Sequence, residues 1–417
     1  MRGGARAIPR VMTEHRITRL GHQGDGIADG PVFAPMTLPG EVVSGRLNGT
    51  RLNDIRILTP SADRVSPPCR HYRACGGCQV MHASDDFVAG WKTDVVRAAL
   101  SAQGIEAEFR PILTSPPASR RRAALSARRT KKGAMAGFHA RASDTLIEMP
   151  ECRLLLPNLL KAIPLAEALA IAGGSRKGEL TVQITQSESG LDVAVSGGKP
   201  LDGPLRMALA AEVERFALAR LVWEGEMVAM RTPPFHRFGP ARVTPPAGAF
   251  LQATAEGEAA LLASVTEAVG PSARIVDLFA GCGTFALPLA QQAEVHAVEG
   301  EAAMIAALDQ GWRQAEGLKR VTSEARDLFR RPLLPDELKR FDAAVIDPPR
   351  AGAEAQVTEL ARAGIGRIAF VSCNPVTFAR DARILLSEGF SLDWIQVVDQ
   401  FRWSSHVELA AAFRAIR

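Results

Sequence analysis

Apolar residues in the first sixty positions occur in short alternating runs separated by glycine-rich turns. The runs are Ile17–Leu20, Pro31–Ala34, Glu41–Leu47 and Asp54–Leu58. Short strands at regular spacing, divided by turns of this kind, are typical of a small β-barrel. The pattern therefore predicts a barrel at the amino terminus of the chain.

The pattern becomes mixed in the middle of the chain. Residues Asp85–Gly104 carry apolar side chains at helical spacing and predict an amphipathic helix. The segment Arg120–Met149 has the pattern of a β-hairpin. Three further strands are expected, at Thr181–Ile184, Leu191–Val195 and Leu221–Glu224. These elements predict a central domain of mixed α+β type.

From about Phe250 onward, helical and strand patterns alternate, which is typical of an α/β domain with a parallel, doubly wound sheet. We therefore divide the chain into residues 1–62, the barrel, 63–245, the central domain, and 246–417, the α/β domain. The helix over 85–104 is a candidate to pack on the third domain despite its place in the sequence.

The composition agrees with a folded protein that does not enter a membrane. Of 417 residues, 47% are hydrophobic and 23% are charged, so a large core can form. No stretch reaches the ~18 uninterrupted apolar residues of a membrane span. The basic amino terminus lacks the apolar core of a signal peptide. We expect a cytoplasmic, monomeric protein that does not bind membranes.

Basic residues are concentrated in the first part of the chain. Residues 1–150 contain 22 Lys or Arg and 13 Asp or Glu, whereas the remainder contains 28 and 32. Seven of the cations and no acid lie between Arg120 and Lys132. Such density suits contacts with the phosphates of a nucleic acid, although a solvated hairpin is the alternative reading.

An apolar strand that runs into a Gly-x-Gly turn begins at Arg274 and reaches Phe285. Glycines allow a ligand to approach the backbone closely, and strand ends at such a position hold nucleoside cofactors in open sheets. The next predicted strand ends at Glu299, an acid that can accept both ribose hydroxyls, and Asp327 could meet an adenine amino group. A tight strand–helix turn is the alternative. The series resembles the S-adenosylmethionine site of class I methyltransferases and comprises Asp277, Gly281, Gly283, Glu299 and Asp327.

Three polar motifs follow at predicted strand ends or near the carboxyl terminus. They are Asp347-Pro-Pro-Arg350, Ser372-Cys373-Asn374-Pro375 and His406-Val-Glu408. Methylation at C5 of a pyrimidine needs an activated Cys that adds to C6 and a carboxylate that removes the C5 proton. Cys373 and Glu408 supply these two groups. For Cys373 alone, a buried small apolar residue is the alternative reading.

The three motifs, together with Phe250-Leu-Gln252, resemble the RNA uracil-5 methyltransferase family. The resemblance implies a class I methyltransferase domain and a barrel similar to the small TRAM or OB-like RNA-binding barrels. It implies that Cys373 attacks uracil C6 and that Glu408 is the base. It also implies that five residues line the cofactor and reaction site: Gln252, Phe279, Thr284, Glu299 and Asp347.

This family resemblance leaves the substrate open. A uridine in 23S rRNA is expected, because the members of the family that carry an iron–sulfur cluster act there. A transfer RNA uridine, an RNA cytosine or a non-catalytic RNA-binding role are the alternatives. The chain also departs from the family pattern, since Arg402 stands where a Pro is frequent, Ser404 where a Thr is frequent, and Thr284 where many relatives carry Asn.

Four cysteines form a second candidate site. Cys69, Cys75 and Cys78 lie within ten residues, with two glycines between the last two, and Cys152 follows the predicted hairpin. Four thiolates fit either tetrahedral zinc or a [4Fe–4S] cluster, and scattered free thiols are the remaining reading. Because the pattern is similar to that of the iron–sulfur members of the same family, we expect a [4Fe–4S] cluster.

Overall fold

The computed structural model describes residues 12–416 as three β-sheets with their helices and a small separate hairpin. Residues 1–11 of the predicted barrel domain and Arg417 lie outside the described residues. Among the residues described, none of the helices combines the length and the apolar character needed to cross a membrane.

The amino-terminal barrel predicted from the sequence is confirmed. Five strands close in the order β1–β2–β3–β5–β4 around a core that includes Ile17, Val43 and Leu52. Strand β2 was not predicted, because glycine is typical of turns and Gly26 was assigned to one. In the barrel Gly26 is needed for packing, since a Cβ there would collide with the Thr37 hydroxyl. The strands are β1 (Thr13–Leu20), β2 (Gly26–Ala28), β3 (Val32–Ala34), β4 (Val42–Asn48) and β5 (Arg51–Thr59).

Two elements after the barrel pack on the carboxyl-terminal domain. Helix α1 (Asp85–Ser101) begins at Ser84, whose hydroxyl accepts a hydrogen bond from the Phe87 N–H at 3.2 Å. Its residues Val96 and Leu100 lie in the same apolar cluster as the third sheet. The short strand β6 (Leu113–Thr114) forms one edge of that sheet.

The central domain is a seven-stranded sheet in the order β13–β12–β11–β10–β7–β8–β9. Its strands are β7 (Arg122–Arg129), β8 (Ala134–His139), β9 (Leu146–Ile147), β10 (Leu180–Ser187), β11 (Gly190–Ser196), β12 (Arg220–Trp223) and β13 (Glu226–Met230). A 3-10 turn over Pro157–Lys161 and the helices α2 (Ala162–Gly173) and α3 (Gly203–Arg215) belong to its core. A small hairpin follows, formed by β14 (His236–Phe238) and β15 (Ala241–Val243).

The carboxyl-terminal domain is an eight-stranded sheet between two layers of helices, which confirms the predicted α/β fold. The order is β18–β17–β16–β19–β20–β22–β21–β6. The strands are β16 (Arg274–Leu278), β17 (Glu294–Glu299), β18 (Val321–Ala325), β19 (Ala343–Ile346), β20 (Arg367–Ser372), β21 (Phe390–Asp399) and β22 (Glu408–Ala415). The helices are α4 (Ala255–Val269), α5 (Ala286–Leu289), α6 (Ala302–Gln314), α7 (Pro335–Leu338), α8 (Glu354–Ala363) and α9 (Pro375–Ser387).

The direction of the strands determines where the polar motifs meet. Strands β16 to β20 are mutually parallel, so their carboxyl ends lie at one edge of the sheet. Strand β22 is antiparallel to β20, with Leu409 opposite Ser372. The start of β22 therefore lies at the same edge as the end of β20, and Glu408 comes next to the turn that carries Cys373.

Candidate active site

One large cavity, about 800 Å³ in volume, opens at this edge of the sheet. Of the residues predicted for the cofactor, Asp277 and Gly283 do not line this cavity. The other predicted cofactor residues and the catalytic pair lie at its wall. They are Gln252, Phe279, Gly281, Thr284, Glu299, Asp327, Asp347, Cys373 and Glu408. Gln252 and Glu408, the first and last of these residues, are 156 positions apart in the sequence, and the fold brings them together.

The loop after β16 forms one half of the cavity. Phe279 has a φ of 63° and Gly281 a φ of 57°, both in the left-handed region. That conformation is ordinary for glycine but unusual for Phe279, which has a side chain. The Glu299 carboxylate accepts hydrogen bonds from the Gly281 and Glu301 N–H groups, each at 3.0 Å. A Cβ on Gly281 would meet open space, so the loop leaves room for a ligand above its backbone.

Aromatic and acidic side chains continue this half of the cavity. The rings of Phe279 and Phe329 lie 5.5 Å apart, and Asp327 is exposed beside them. The Asp327 carboxylate accepts the Phe329 N–H at 3.0 Å, which holds the ring over the opening. An apolar ring pair flanked by the carboxylates of Glu299 and Asp327 fits a nucleoside, whose base stacks and whose hydroxyl and amino groups donate hydrogen bonds.

The turn that carries Cys373 follows from its local sequence. Strand β20 ends at Ser372, and Asn374 caps helix α9 by accepting the Val376 N–H at 3.1 Å. Pro375 occupies the first helical position, where its missing N–H costs nothing. The Asn374 amide also donates to the Arg350 carbonyl at 2.8 Å and joins the loops that carry the second and first of the three polar motifs. Cys373 is thus held at a rigid strand–helix junction that faces the cavity.

Burial shifts the pKa values of the ionisable groups in this half. It raises the pKa of Glu408 to about 8, and the charge of Asp347 adds to the effect. Burial also raises the pKa of Asp347 to about 7. The pKa of the Cys373 thiol rises to about 11, first through burial and then through the charges of Glu408 and Asp347. A base with a pKa near the working pH suits proton transfer.

Gln400 is a buried residue behind the cavity wall, and its place in the sequence predicted no role for it. Its amide nitrogen donates to Glu408 Oε2 at 2.9 Å and to Gln252 Oε1 at 2.6 Å. Its carbonyl oxygen accepts the Ala253 N–H at 2.7 Å. No local pattern could have revealed it, because its partners lie 8, 147 and 148 residues away.

The seven cations between Arg120 and Lys132, which are expected to contact phosphates, do not share one surface. Arg121 forms an ion pair with Glu258 that is largely buried, and it also donates to the Gln252 carbonyl at 3.0 Å. Arg120 and Arg122 line the catalytic cavity instead. Arg121 directly precedes β7 and lies beside the third domain, so it pairs with Glu258 of α4.

The four predicted cluster cysteines line a second, small cavity. Cys69, Cys75, Cys78 and Cys152 share it with apolar walls from Tyr72, Met81, Phe138, Met149 and Leu154. The chain is tight here, since a Cβ on Gly76 would lie 2.7 Å from the His139 carbonyl oxygen. The pKa of Cys78 is raised to about 12, first by burial and then by the charges of the other three thiols.

Within residues 12–416, no group of three or more His, Cys, Asp or Glu side chains is arranged to hold a single metal ion. The donor set nevertheless fits a cluster. The raised pKa values of Cys75, Cys78 and Cys152 mean that these thiols become thiolates only beside strong positive charge. In a cluster each iron would take one of the four sulfurs, so the sulfurs need not surround one point.

Comparison with known proteins shows the family. Residues 244–415 match the family described as tRNA (uracil-5-)-methyltransferase. A protein of Caulobacter vibrioides that bears the name uncharacterized RNA methyltransferase is 44% identical over 416 residues, covering 96% of this chain and 100% of its own length. The 23S rRNA (uracil(1939)-C(5))-methyltransferase RlmD of Halomonas elongata is 34% identical over 427 residues, covering 94% of this chain and 87% of RlmD.

The solved structures give the same result for the fold. The tRNA (uracil-54, C5)-methyltransferase of Pyrococcus abyssi, solved in complex with S-adenosyl-L-homocysteine, matches with a TM-score of 0.75 at 23% identity. The match covers 96% of this chain and 99% of that one. Together with the relatives that span nearly its whole length, this shows that the chain belongs to the family of S-adenosylmethionine-dependent RNA (uracil-C5)-methyltransferases.

Proposed function

We propose that this enzyme methylates C5 of a uridine in 23S rRNA, with Cys373 as the nucleophile and Glu408 as the base. The observation that carries the proposal is that both side chains line the same cavity as the residues predicted for the cofactor. We further propose that Gln252, Phe279, Gly281, Thr284, Glu299, Asp327 and Asp347 bind S-adenosylmethionine.

The chemistry follows from what each group can do. Uracil C5 is a poor nucleophile until a thiolate adds to C6 and gives it enolate character. Cys373 forms the bond to C6, and C5 then takes the methyl group that S-adenosylmethionine supplies on its sulfonium. Glu408 removes the C5 proton, the C6–S bond breaks, and Cys373 leaves as a thiolate. The products are 5-methyluridine, S-adenosylhomocysteine and one proton.

Two substitutions separate the proposed roles of the pair. Cys373→Ala should abolish both methyl transfer and any covalent RNA adduct, because C5 then never gains carbanion character. Glu408→Gln should still allow addition and methyl transfer but not loss of the C5 proton. The methylated RNA should therefore accumulate linked to the protein, as a band shifted on a denaturing gel. Release of product by Glu408→Gln at the wild-type rate would show that Glu408 is not the base.

The choice of 23S rRNA rests on the relative from Halomonas elongata, whose printed name states that substrate. The test is mass mapping of methylated nucleotides in RNA from cells with and without the gene, followed by assays on unmodified transcripts. Loss of one 5-methyluridine from 23S rRNA is the expected result. Loss from a transfer RNA, or loss of a 5-methylcytidine, would contradict the proposed substrate while leaving the site unchanged.

We also propose that Cys69, Cys75, Cys78 and Cys152 hold a [4Fe–4S] cluster. The support is their convergence on one small cavity with apolar walls, where four neighbouring thiolates need a resident positive partner. When bound, the cluster would tie Cys152, which follows the β7–β9 strands, to the loop that carries the other three. Protein purified anaerobically should be brown, bleach with dithionite and contain about four irons per chain. Stoichiometric zinc without iron would contradict this proposal.

A further inference from the structure

The segment Asp399–Ser404, which we call the strap, connects β21 to the loop before β22. It carries Gln400 and Phe401, and both the strap and the Glu408 that follows it are largely buried. The contacts of the strap differ from those of an ordinary connecting loop. Polar contacts from three other parts of the molecule hold the strap. One set holds the residues just before and just after Gln400, and the others hold Arg402 and Trp403.

The first anchor is a buried ion pair. Lys92 of α1 is fully buried, and its ammonium donates to the Asp399 carboxylate at 2.5 Å and to the Phe401 carbonyl at 3.1 Å. The same Asp399 oxygen accepts the Phe401 N–H at 3.1 Å. One cation and one carboxylate therefore close a ring around the backbone of Gln400 and restrict its position.

The other anchors lie farther along the strap. The Trp403 carbonyl accepts the N–H groups of Gln79 and Val80, at 2.7 and 3.0 Å, and these two residues directly follow Cys78. Arg402 pairs with Asp85 at the start of α1 and donates to the Ser115 carbonyl at 3.2 Å. The strap is thus attached to elements that precede the catalytic domain in the sequence.

The hydrogen bonds of Gln400 use its whole amide group. Both N–H bonds are directed to oxygens, one on Glu408 and one on Gln252, and the carbonyl oxygen accepts the Ala253 N–H. A donor to Glu408 stabilises the ionised carboxylate and opposes the rise in its pKa that burial causes. The bond also fixes the direction in which the second carboxylate oxygen points.

We propose that Gln400, held by the Lys92–Asp399 pair, is the positioning residue for the Glu408 base and acts on removal of the C5 proton. The inference rests on the proposed function of Glu408. Gln400 does not touch the reacting atoms itself. Its effect at saturating S-adenosylmethionine should appear in the step that uses Glu408 and not in the formation of the C6–S bond. Because Gln400 also donates to Gln252, the affinity for S-adenosylmethionine should fall as well.

The test compares Gln400→Met with Gln396→Met in the full-length protein. Gln396 is a buried glutamine on the adjoining strand β21, where it donates to the Pro111 carbonyl at 2.7 Å. Each variant is mixed with radiolabelled S-adenosylmethionine and an unmodified 23S rRNA transcript in a single turnover. Methyl transfer and decay of the covalent adduct are followed separately on denaturing gels at several pH values.

For Gln400→Met we expect adduct decay to slow by at least about tenfold, because the variant loses one charge-assisted hydrogen bond to Glu408. Its pH dependence should move to higher pH, because the ionised form of Glu408 has lost a donor. Methyl transfer should change by less than about threefold, and Gln396→Met should resemble wild type. Adduct decay at the wild-type rate, or an equal slowing of both steps, would overturn the proposal.

A second measurement does not depend on RNA or on turnover. The protonation of Glu408 in the free protein can be followed by infrared difference spectra of wild type against Glu408→Gln. In the Gln400→Met background the Glu408 transition should move upward in pH, and an unchanged transition would overturn the proposal. Failure of wild type to methylate the transcript would instead contradict the proposed substrate. The double variant Lys92→Met/Asp399→Asn should show the same slow adduct decay, and normal decay would show that the pair does not hold Gln400.

Discussion

Burial raises the pKa of Asp347, Cys373 and Glu408 in the catalytic cavity and of Cys75, Cys78 and Cys152 in the cysteine cavity, but the two cavities differ in size and in wall. The catalytic cavity is large and bordered by carboxylates, guanidinium groups and aromatic rings. The cysteine cavity is small and has thiols on a mostly apolar wall. A large polar opening can accept and release ligands during turnover. A small apolar one favours a group that stays in place once it is bound.

The two cavities also differ in how the chain builds them. Three of the cysteines lie in one ten-residue loop, and only Cys152 comes from elsewhere. The catalytic cavity collects residues from Arg120 to Glu408. Damage to the first should therefore destabilise a local unit and its neighbours. Damage to the second should leave the fold intact and remove a single chemical function.

The largest effect is expected from Cys75→Ser, which removes one of the four proposed cluster ligands. We expect loss of bound iron and a marked fall in the thermal midpoint, since loss of a structural metal group typically removes several kcal/mol of folding free energy. Iron analysis and calorimetry measure both. Cys282→Ala is the control, because Cys282 is buried beside the other cavity and should leave the iron content unchanged. Equal iron in both variants would contradict the division between the cavities.

The next effect concerns Glu299, which holds the Gly281 and Glu301 N–H groups. Glu299→Gln keeps the shape but loses the charge and one acceptor. S-adenosylmethionine should bind about 10–100-fold more weakly, or about 1.4–2.7 kcal/mol, as measured by calorimetry. The iron content should not change. Unchanged affinity would show that the ribose hydroxyls are bound by other groups.

The pH dependence of stability should distinguish the buried base from surface acids. The pKa of Glu408 is raised to about 8 in the folded protein from an ordinary value of 4.5. Between pH 4.5 and about 8, Glu408 therefore keeps its proton in the folded state and loses it in the unfolded state. The free energy of unfolding falls as the pH rises through this range. Glu408→Gln should melt a few degrees above wild type at pH 9, and the two should converge at pH 5.

The control for this experiment is Glu256→Gln, at an exposed position in the first turn of α4. Because water solvates that carboxylate, its removal should produce no gain that grows with pH. A gain for Glu408→Gln that is the same at pH 5 and pH 9 would show that burial of the charge is not its cause.

The smallest effect is expected at the tip of the β7–β8 hairpin. Lys131 and Lys132 are exposed there, unlike the three arginines at 120–122. Replacing both by alanine should weaken RNA binding a few-fold and reduce the salt slope by roughly 0.7–0.9 per lost phosphate contact. Lys339→Ala/Arg340→Ala, before β19 at the opposite edge of the sheet, removes the same charge and should leave the slope unchanged. An unchanged slope in the hairpin variant would place the RNA elsewhere.

The local motifs of the sequence predicted much of the architecture. A strand that runs into Gly281-Cys-Gly283 can form only a tight turn with an open backbone, so the loop after β16 was readable from residue types. The motif Ser372-Cys373-Asn374-Pro375 follows an apolar run, which placed Cys373 at the carboxyl end of a strand. The barrel and the α/β domain were predicted because alternation and helical spacing are properties of short segments.

The sequence alone determined which chemical groups were available: one thiol and one carboxyl for a C5 methyl transfer, acids for a nucleoside and four thiols for a second site. Only the tertiary structure decided how they are held. The Arg121–Glu258 and Lys92–Asp399 pairs join residues 137 and 307 positions apart. Gln400 meets Glu408 because β21 pairs antiparallel with β22, which sets Val398 opposite Glu408. Contacts of this kind leave no periodic trace in the chain, because a buried charge or amide finds its partner through the packing of whole elements and not through its neighbours in sequence.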